Sequence, residues 1–184
     1  MEENLIFLSE ELVGERIQLC RSFPYDYFAA DLFKGIMASK VSLGKWLPWT
    51  ATVKSWLDTK LFLAQSYQRW EEGVAFHYFV CPKGTDDVMG TIEVINFDQK
   101  NLVAELGYLL FDEFVGKGYM QEAVKILEKE LFAKGVNRIE IQVDTFNSRS
   151  VNIAVKLGYE FEGVLRENRL ENGQFQDTNM FSKL

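Results

Sequence analysis

Residues 104–123 read Ala104-Glu-Leu-Gly-Tyr-Leu-Leu-Phe-Asp-Glu-Phe-Val-Gly-Lys-Gly-Tyr-Met-Gln-Glu-Ala123 and join a strand-like run to a helix start. The first part is apolar, as in a buried strand, and a short glycine-bearing loop follows it. A helix that begins after such a loop presents unpaired backbone N–H groups and the positive end of its dipole. The segment therefore predicts an anion site suited to a phosphate or pyrophosphate.

Two glycines, Gly116 and Gly118, give this loop its predicted character. Alone, a Gly-x-Gly triplet marks a turn as readily as a binding loop. Its position between an apolar strand and a helix favours the binding loop, in which the N–H groups of residues 116–121 converge on one anion. Gly118 removes the Cβ that would block close approach. Lys117 either adds positive charge or is a solvated side chain.

Composition and charge limit the classes of protein to which the chain can belong. Its 184 residues predict one domain over residues 1–184. The formal net charge of -7 argues against a nucleic-acid-binding surface and is compatible with a cationic acceptor such as an amine. No apolar run approaches the roughly 20 residues that cross a bilayer, and the Met-Glu-Glu start lacks a secretory signal. We therefore expect a cytoplasmic protein without membrane contact.

The residues that most often bind metals are few. Cys20 and Cys81 lie far apart in strand-like segments and are interpreted as buried thiols. The single histidine, His77, cannot furnish a multi-histidine zinc site, and no G-x-S-x-G nucleophile motif accompanies it. We expect a structural role for His77 and no metal.

The pattern of apolar residues and turn formers predicts a mixed sheet flanked by helices. A strand over 12–20 is followed by a helix from the Pro24 region to about Ser39 and by a second helix that Thr52 caps and Gly73 ends. The following predicted elements are strands 74–81, 87–97 and 103–111, helix 119–134, strand 138–143 and helix 148–157. Asn172-Gly173 predicts a terminal hairpin.

Within this order, the segment from strand 103–111 through helix 119–134 to strand 138–143 predicts a right-handed crossover. If the two strands diverge, the gap between them is a slot for a ligand. A loop rich in aromatic residues, Gly44-Lys-Trp-Leu-Pro-Trp49, precedes the second helix. Trp46, Trp49 and Trp56 either line an acceptor groove or anchor the core, and burial in the core is the favoured interpretation.

The glycine loop resembles a known motif. Val115-Gly-Lys-Gly-Tyr-Met120 is similar to the acetyl-CoA motif of the GNAT acetyltransferase superfamily, Q/R-x-x-G-x-G/A. Gly118 matches the central glycine, whereas Val115 and Met120 depart from the pattern. Two further segments, Asp144–Ser150 and Lys156–Gly163, resemble other elements of the superfamily. The branch that acetylates the N-termini of ribosomal proteins, the Rim type, is resembled by Gly44–Trp49, Gly163–Glu167, Asn172-Gly173 and Asp177. The resemblance covers about residues 12–184.

The resemblance implies a fold and a cosubstrate. The fold is a GNAT-like α/β (α+β) domain, in which a splayed strand pair opens a slot in a mostly antiparallel sheet. Acetyl-CoA is the implied cosubstrate, with its pyrophosphate on the backbone of 116–121 and its pantetheine arm along strand 106–111. The implied contacts are Leu109, Leu110, Val115, Gly116, Lys117, Gly118, Tyr119, Met120 and Asn147. Asn147 also suits the start of a helix, and the two roles can coexist.

The resemblance also implies catalytic residues. Ser150 aligns with the serine that is proposed, in this branch, to protonate the departing thiolate. Many members of the superfamily use a tyrosine one turn later, where this chain has Ala154. Glu105, beside the cofactor strand, is the candidate general base, with a solvent-facing glutamate as the alternative interpretation. Arg169 stands where some Rim-type enzymes have a glutamate.

The resemblance also implies an acceptor, the N-terminal α-amine of a ribosomal or other protein. An α-amino group with a pKa of about 8 is roughly one-tenth neutral at pH 7, whereas a lysine amine is almost fully protonated. An N-terminal acceptor therefore needs little help from a general base. A small amine, such as a polyamine or an aminoglycoside, and a catalytically silent acyl-CoA-binding module stay open as alternatives. A homodimer through exposed strand edges also stays open.

Overall fold

The computed structural model describes residues 5–171 and 173–184. Its first half contains strands β1 (Glu11–Val13) and β2 (Ile17–Arg21), helices α1 (Asp26–Ala38), α2 (Lys40–Gly44) and α3 (Trp56–Glu71), and strands β3 (Phe76–Pro82) and β4 (Gly90–Asp98). The second half contains β5 (Val103–Leu110), α4 (Tyr119–Ala133), β6 (Arg138–Asp144), α5 (Ser148–Lys156), β7 (Glu160–Glu171) and β8 (Gln174–Lys183). Short 3₁₀ turns cover Pro48–Ala51 and Asp112–Phe114.

The strands form one eight-stranded sheet in the order β1-β2-β3-β4-β5-β6-β8-β7. Every neighbouring pair is antiparallel except β5 and β6, which are parallel. The mixed, mostly antiparallel sheet that the sequence predicts is confirmed. β5 and β6 pair only at their beginnings, where Val103–Glu105 lie opposite Arg138–Glu140, and they separate beyond that point. This divergence creates the slot that the crossover predicts.

Two hydrophobic clusters fix the sheet between its helices. On one face, α4 contributes Val124, Leu127 and Leu131, all fully buried, to a cluster that includes residues of β2–β6. These positions recur at helical spacing, which explains why this segment forms an amphipathic helix. On the other face, Leu32 and Ile36 of α1 and Leu63 of α3 pack with Phe79 and Leu109 of the sheet. The slot therefore lies between two rigid packed layers.

Three local predictions need correction. The segment 12–20 is two short strands, β1 and β2, because the chain reverses at Gly14, whose N–H donates to the Ile17 carbonyl. Ser55, not Thr52, precedes α3, and it forms a reciprocal capping box with Asp58. The aromatic loop is partly helical, since α2 ends at Gly44 and a 3₁₀ turn begins at Pro48.

The other elements agree with the predictions within a few residues. Gly73, Gly135 and Gly158 follow the ends of α3, α4 and α5, and each has a positive φ. β7 and β8 form the predicted antiparallel hairpin, with Glu171 opposite Gln174, although Asn172 lies outside the described residues. Among the residues described, no helix combines the length and apolarity needed to cross a membrane.

Candidate active site

The slot between β5 and β6 opens into a cavity of about 710 Å³. The Phe111 N–H donates to the Met89 carbonyl, so residue 111 bonds toward β4. Backbone groups alternate along a strand, and therefore those of Tyr108 and Leu110 face away from β4, into the slot. The resemblance implies that Leu109 and Leu110 contact the cosubstrate. The backbone groups of Leu110 are free to do so, whereas those of Leu109 face β4. A strand-like amide chain such as pantetheine fits this free edge.

The glycine loop lies at one end of the slot. Gly116 and Gly118 have φ values of 84° and 80°, in the left-handed region that side chains rarely adopt. Gly118 is the N-cap of α4, so the N–H groups of residues 118–121 have no intrahelical partner. Val115, Gly116, Gly118, Tyr119 and Met120 all line the cavity, as does Gln121. The geometry is that of an anion site at a helix N-terminus.

Lys117, in the same loop, is not among the residues that line the cavity. Its side chain is exposed and its Nζ lies 5.7 Å from the centre of the Phe114 ring. Its backbone has a structural partner instead, because its carbonyl accepts a hydrogen bond of 3.0 Å from Arg16 Nη1. The structure thus places the Lys117 charge outside the cavity lining and favours the solvated interpretation.

Arg16, in the β1–β2 turn, holds the glycine loop against the sheet. Its Nε donates to Glu122 Oε2 at 2.8 Å, and its backbone N–H donates to Glu122 Oε1 at the same distance. Its guanidinium also lies 5.0 Å from the centre of the Tyr119 ring. The pKa of Glu122 is lowered, because the hydrogen bonds from Arg16 outweigh burial, which raises it. Sequence reasoning missed this residue.

Helix α5 carries the predicted proton donor. Asn147 is its N-cap, and Asn147 Oδ1 accepts a hydrogen bond of 3.3 Å from the Ser150 N–H. The capping role of Asn147 is therefore confirmed. Asn147 and Ser150 both line the large cavity, on the wall opposite β5. Ala154, one turn later, is fully buried and offers no hydroxyl.

A second cavity, of about 240 Å³, adjoins the slot across β5. Its walls are mostly apolar, and Thr91 and Glu93 are the polar side chains that β4 contributes to its described lining. The two cavities share lining residues: Leu47, Ile95, Gly107, Tyr108 and Leu109. An acceptor bound in the smaller cavity would therefore meet a thioester in the slot at the centre of β5.

Glu93 is the titratable group of this smaller cavity. Burial raises its pKa to about 7; the positive charge of Arg69 opposes this shift, and the negative charge of Glu105 adds to it. A carboxylate with a pKa near 7 can take a proton at neutral pH and release it again. Sequence reasoning missed Glu93, because an isolated glutamate in a strand carries no motif.

The predicted base, Glu105, has a different environment. It is half-buried, lines the slot rather than the smaller cavity, and accepts a hydrogen bond of 2.8 Å from Asn96 Nδ2. The two glutamates are on neighbouring strands, and their charges interact. Glu105 stays a candidate because of its position beside the slot, whereas Glu93 lines the smaller cavity.

The tryptophans are placed differently from the favoured prediction. Trp49 and Trp56 are 39% and 38% exposed, so burial in the core is wrong for both. Trp49 lines the smaller cavity and stacks on Phe62 with ring centres 5.8 Å apart, while Trp46 lines the slot. The groove interpretation therefore fits Trp46 and Trp49. The buried tryptophan is Trp70, in α3.

His77 and the cysteines have structural surroundings. The His77 ring is buried, and Nδ1 lies 2.7 Å from Ser22 Oγ. Burial lowers the pKa of His77 to about 3, so the ring is neutral at physiological pH. Cys81 is buried, Cys20 is half-buried, and both are free thiols.

Three features are together typical of one protein family: the strand order, the slot between β5 and β6, and the glycine loop that precedes α4. A model of the acetyltransferase (GNAT) domain matches residues 21–160 of the chain. The chain belongs to the GNAT acetyltransferase family. The resemblance recognised in the sequence is confirmed, and so is the expectation of an N-acetyltransferase at the level of the family.

Curated relatives include both uncharacterized and named acetyltransferases. An uncharacterized N-acetyltransferase p20 of Bacillus licheniformis is 37% identical over 61% of this chain and 64% of its own length. The chain thus spans less than two thirds of that relative. A putative ribosomal N-acetyltransferase, YdaF of Bacillus subtilis, is 28% identical over 94% of this chain and 93% of its own. The ribosomal-protein-serine acetyltransferase of Escherichia coli is 25% identical over 83% and 85%.

Solved structures support the fold. The microcin C7 self-immunity acetyltransferase MccE, solved with acetyl-CoA and AMP, is 29% identical, with a TM-score of 0.87 and 93% coverage of both chains. RimL, the ribosomal L7/L12 α-N-protein acetyltransferase, was solved with coenzyme A and gives a TM-score of 0.88 at 21% identity, over 95% of this chain and 98% of its own. The predicted GNAT-like fold is therefore confirmed.

Proposed function

We propose that this protein transfers an acetyl group from acetyl-CoA to the N-terminal α-amine of a ribosomal or other protein. The observation that carries the proposal is the junction of the two cavities at the middle of β5. One cavity offers a free strand edge and an anion site at its end, which suits an acyl donor with a pyrophosphate. The other is apolar and holds a single carboxylate, Glu93, which suits an amine.

The proposed reaction is direct transfer in a ternary complex. The amine nitrogen attacks the thioester carbonyl carbon, and the oxyanion that forms is stabilised by a backbone N–H of β5. Glu93 takes the proton that the amine loses, since its pKa of about 7 suits operation near neutral pH. Ser150 donates a proton to the sulfur as the C–S bond breaks.

The smaller cavity favours an α-amine over a polyamine. A polyamine carries several positive charges, and each needs an anionic partner or water. The described lining of this cavity has one carboxylate, and its other walls are apolar or uncharged. An N-terminal residue brings one amine and one short side chain, which matches a volume of about 240 Å³. Relatives named for ribosomal acetylation align over more of the chain than the spermidine acetyltransferase of Escherichia coli, which covers 48%.

One observation supports a second class of acceptor. Trp49 presents an aromatic surface at the smaller cavity, and a flat ring of a ligand could stack there. The relative MccE was solved with AMP. An α-amine attached to a nucleotide is therefore the second candidate, and AMP is the probe for it.

The test is release of free coenzyme A from acetyl-CoA with matched acceptors. A peptide with a free N-terminus and no lysine is compared with the same peptide bearing a blocked N-terminus and one lysine, and with spermidine. We expect release with the free α-amine alone. Release with spermidine or the lysine peptide alone would contradict the proposed acceptor, and competition by AMP would favour the nucleotide class.

The same assay separates the two candidate bases. Glu93→Gln removes the carboxylate of the acceptor cavity, and Glu105→Gln is the matched control on the next strand. We expect Glu93→Gln to lower kcat by about 100-fold and to abolish the rise of rate with pH near 7. If Glu105→Gln does so instead, Glu105 is the base, as the sequence predicts.

A further inference from the structure

Tyr108 lies in the wall between the two cavities and lines both of them. Its ring packs against the core cluster that α4 and α5 cover, on the same side of the sheet as Ala154 and Leu157. The hydroxyl oxygen is buried without a hydrogen-bond partner among the described residues. A buried hydroxyl without a partner costs about 1–3 kcal/mol, so its retention calls for an explanation.

The neighbour of this hydroxyl is the predicted proton donor. Burial raises the pKa of the Tyr108 phenol to about 12, and the Ser150 side chain lies near enough to act in the opposite direction. The two hydroxyls do not complete a hydrogen bond of full geometry, so the Tyr108 hydroxyl is available for a partner in the slot. Ser150 and Tyr108 both line the slot.

A serine alone is a weak acid for this task. A serine hydroxyl is as weak an acid as water, and therefore far weaker than a thiol, whose pKa is about 8.5. A serine therefore protonates a thiolate well only if its own oxygen receives a proton or a strong hydrogen bond at the same time. The position one turn later on α5, Ala154, supplies neither.

We propose that Tyr108 is a positioning residue that donates its hydroxyl proton toward Ser150 Oγ and so enables Ser150 to protonate the departing thiolate. As the C–S bond breaks, its electron pair goes to sulfur and the Ser150 proton follows. The Tyr108 proton restores the Ser150 hydroxyl. Glu93 takes the proton that the amine loses and releases it to solvent, and the Tyr108 oxygen regains a proton from solvent through the slot. The overall products are the N-acetylated amine and the free thiol, with no proton left over.

This inference rests on the proposed acetyl transfer from acetyl-CoA but not on the identity of the acceptor. If the Tyr108 and Ser150 hydroxyls together protonate the departing thiolate, they must also stabilise the thiolate of bound coenzyme A in the absence of any acceptor. The pKa of the bound thiol is therefore a direct readout. Failure of every acceptor in the transfer assay would leave this readout intact, so the two proposals fail separately.

The experiment titrates the bound thiol by its ultraviolet thiolate absorbance, with the protein saturated with coenzyme A. Complexes with desulfo-coenzyme A give the reference spectrum, which removes the signals of the protein's own tyrosines and cysteines. We expect Tyr108→Phe to raise the thiol pKa by about one unit, which corresponds to a tenfold loss of thiolate stabilisation. Ser150→Ala should raise it too, and the double variant should add little beyond the larger single effect.

Tyr159→Phe is the matched control, because its hydroxyl is also buried without a partner but Tyr159 lines neither cavity. It should leave the thiol pKa unchanged. An unchanged thiol pKa in Tyr108→Phe that still binds coenzyme A, or fully additive effects of the two variants, would overturn the proposal. If Tyr108→Phe does not fold, 3-fluorotyrosine is placed at position 108, because it keeps the shape of tyrosine and makes the phenol more acidic. This variant should lower the pKa of the bound thiol. An unchanged thiol pKa would overturn the proposal here as well.

Discussion

Glu93 on β4 lies directly opposite Gly107 on β5, and the Ile95 side chain packs over Gly107 at the boundary that the two cavities share. A Cβ at position 107 would stand 2.3 Å from Ile95 Cδ1 and 3.6 Å from Glu93 Cγ. The bond-forming atoms of amine and thioester must come within about 3–3.5 Å before reaction. Gly107 therefore leaves room for Ile95 to pack against β5, at the boundary where the proposed base and the free strand edge must meet.

Gly107→Ala should block acetyl transfer while sparing the binding of coenzyme A. The new methyl group displaces Ile95, which lines both cavities, into the path of the amine. We expect kcat/KM for the acceptor to fall tenfold or more, because a misplacement of about 1 Å can cost 100-fold. Gly44→Ala is the control, since a Cβ there meets only Thr50 Oγ1 at 3.8 Å. Kinetics and calorimetry measure both; equal losses in the two variants would contradict the prediction.

Glu93→Gln should stabilise the protein at alkaline pH. Burial raises the folded-state pKa of Glu93 from 4.5 to about 7, so folding retains a proton that the unfolded chain loses. Native stability from this group is fully present below about pH 4.5 and is lost as pH rises through 7.

Glutamine carries no charge, so the variant avoids this loss. Urea unfolding at about pH 8 and about pH 5 measures it, and we expect the variant to gain stability over the wild type at the higher pH alone. Glu105→Gln, whose carboxylate is half-buried, serves as the control. A gain of the same size at both pH values would show that the carboxylate does not titrate between them.

The next prediction concerns Gly118 in the glycine loop, and Gly84 provides its matched control. Gly118→Ala and Gly84→Ala place a side chain on backbones of identical φ, 80°, and neither Cβ has a contact closer than 3.5 Å. Each variant should lose about 1–2 kcal/mol of stability from left-handed strain. Only Gly118→Ala should weaken coenzyme A binding, by tenfold or more, because Gly118 is the N-cap of α4 at the anion site. Equal affinities in the two variants would place the pyrophosphate elsewhere.

Local signals explain which features the sequence alone predicts. The strand, the glycine loop and α4 follow one another within residues 104–133, and each is specified by its own residues, so the segment and its anion site are predictable. The capping box of Ser55 and Asp58 is also local, and the pattern S-x-x-D was present to be recognised.

Tertiary packing explains the features that were missed. The pKa of Glu93 depends on burial at a wall that Leu32 of α1 and Phe62 of α3 complete, and neither helix signals this in its own sequence. The exposure of Trp49 likewise depends on how the 3₁₀ turn meets α3, where Trp49 stacks on Phe62. Size and hydrophobicity favour burial of tryptophan, but a cavity wall satisfies only part of that preference.

The last prediction concerns Arg16, whose side chain links the glycine loop to the β1–β2 turn, about 100 residues earlier in the chain. Arg16→Gln removes the hydrogen bond to the Lys117 carbonyl and the ion pair with Glu122. Exposed ion pairs contribute little to stability, about 0.2–1 kcal/mol, and Arg16 is 49% exposed. The loop, however, loses the contact that fixes its backbone, so coenzyme A should bind several-fold more weakly with an unchanged Tm. Isothermal titration and thermal unfolding measure the two quantities. The comparison is Arg166→Gln, since Arg166 is exposed and lines neither cavity; a large fall in Tm with unchanged affinity would make Arg16 a stability residue only.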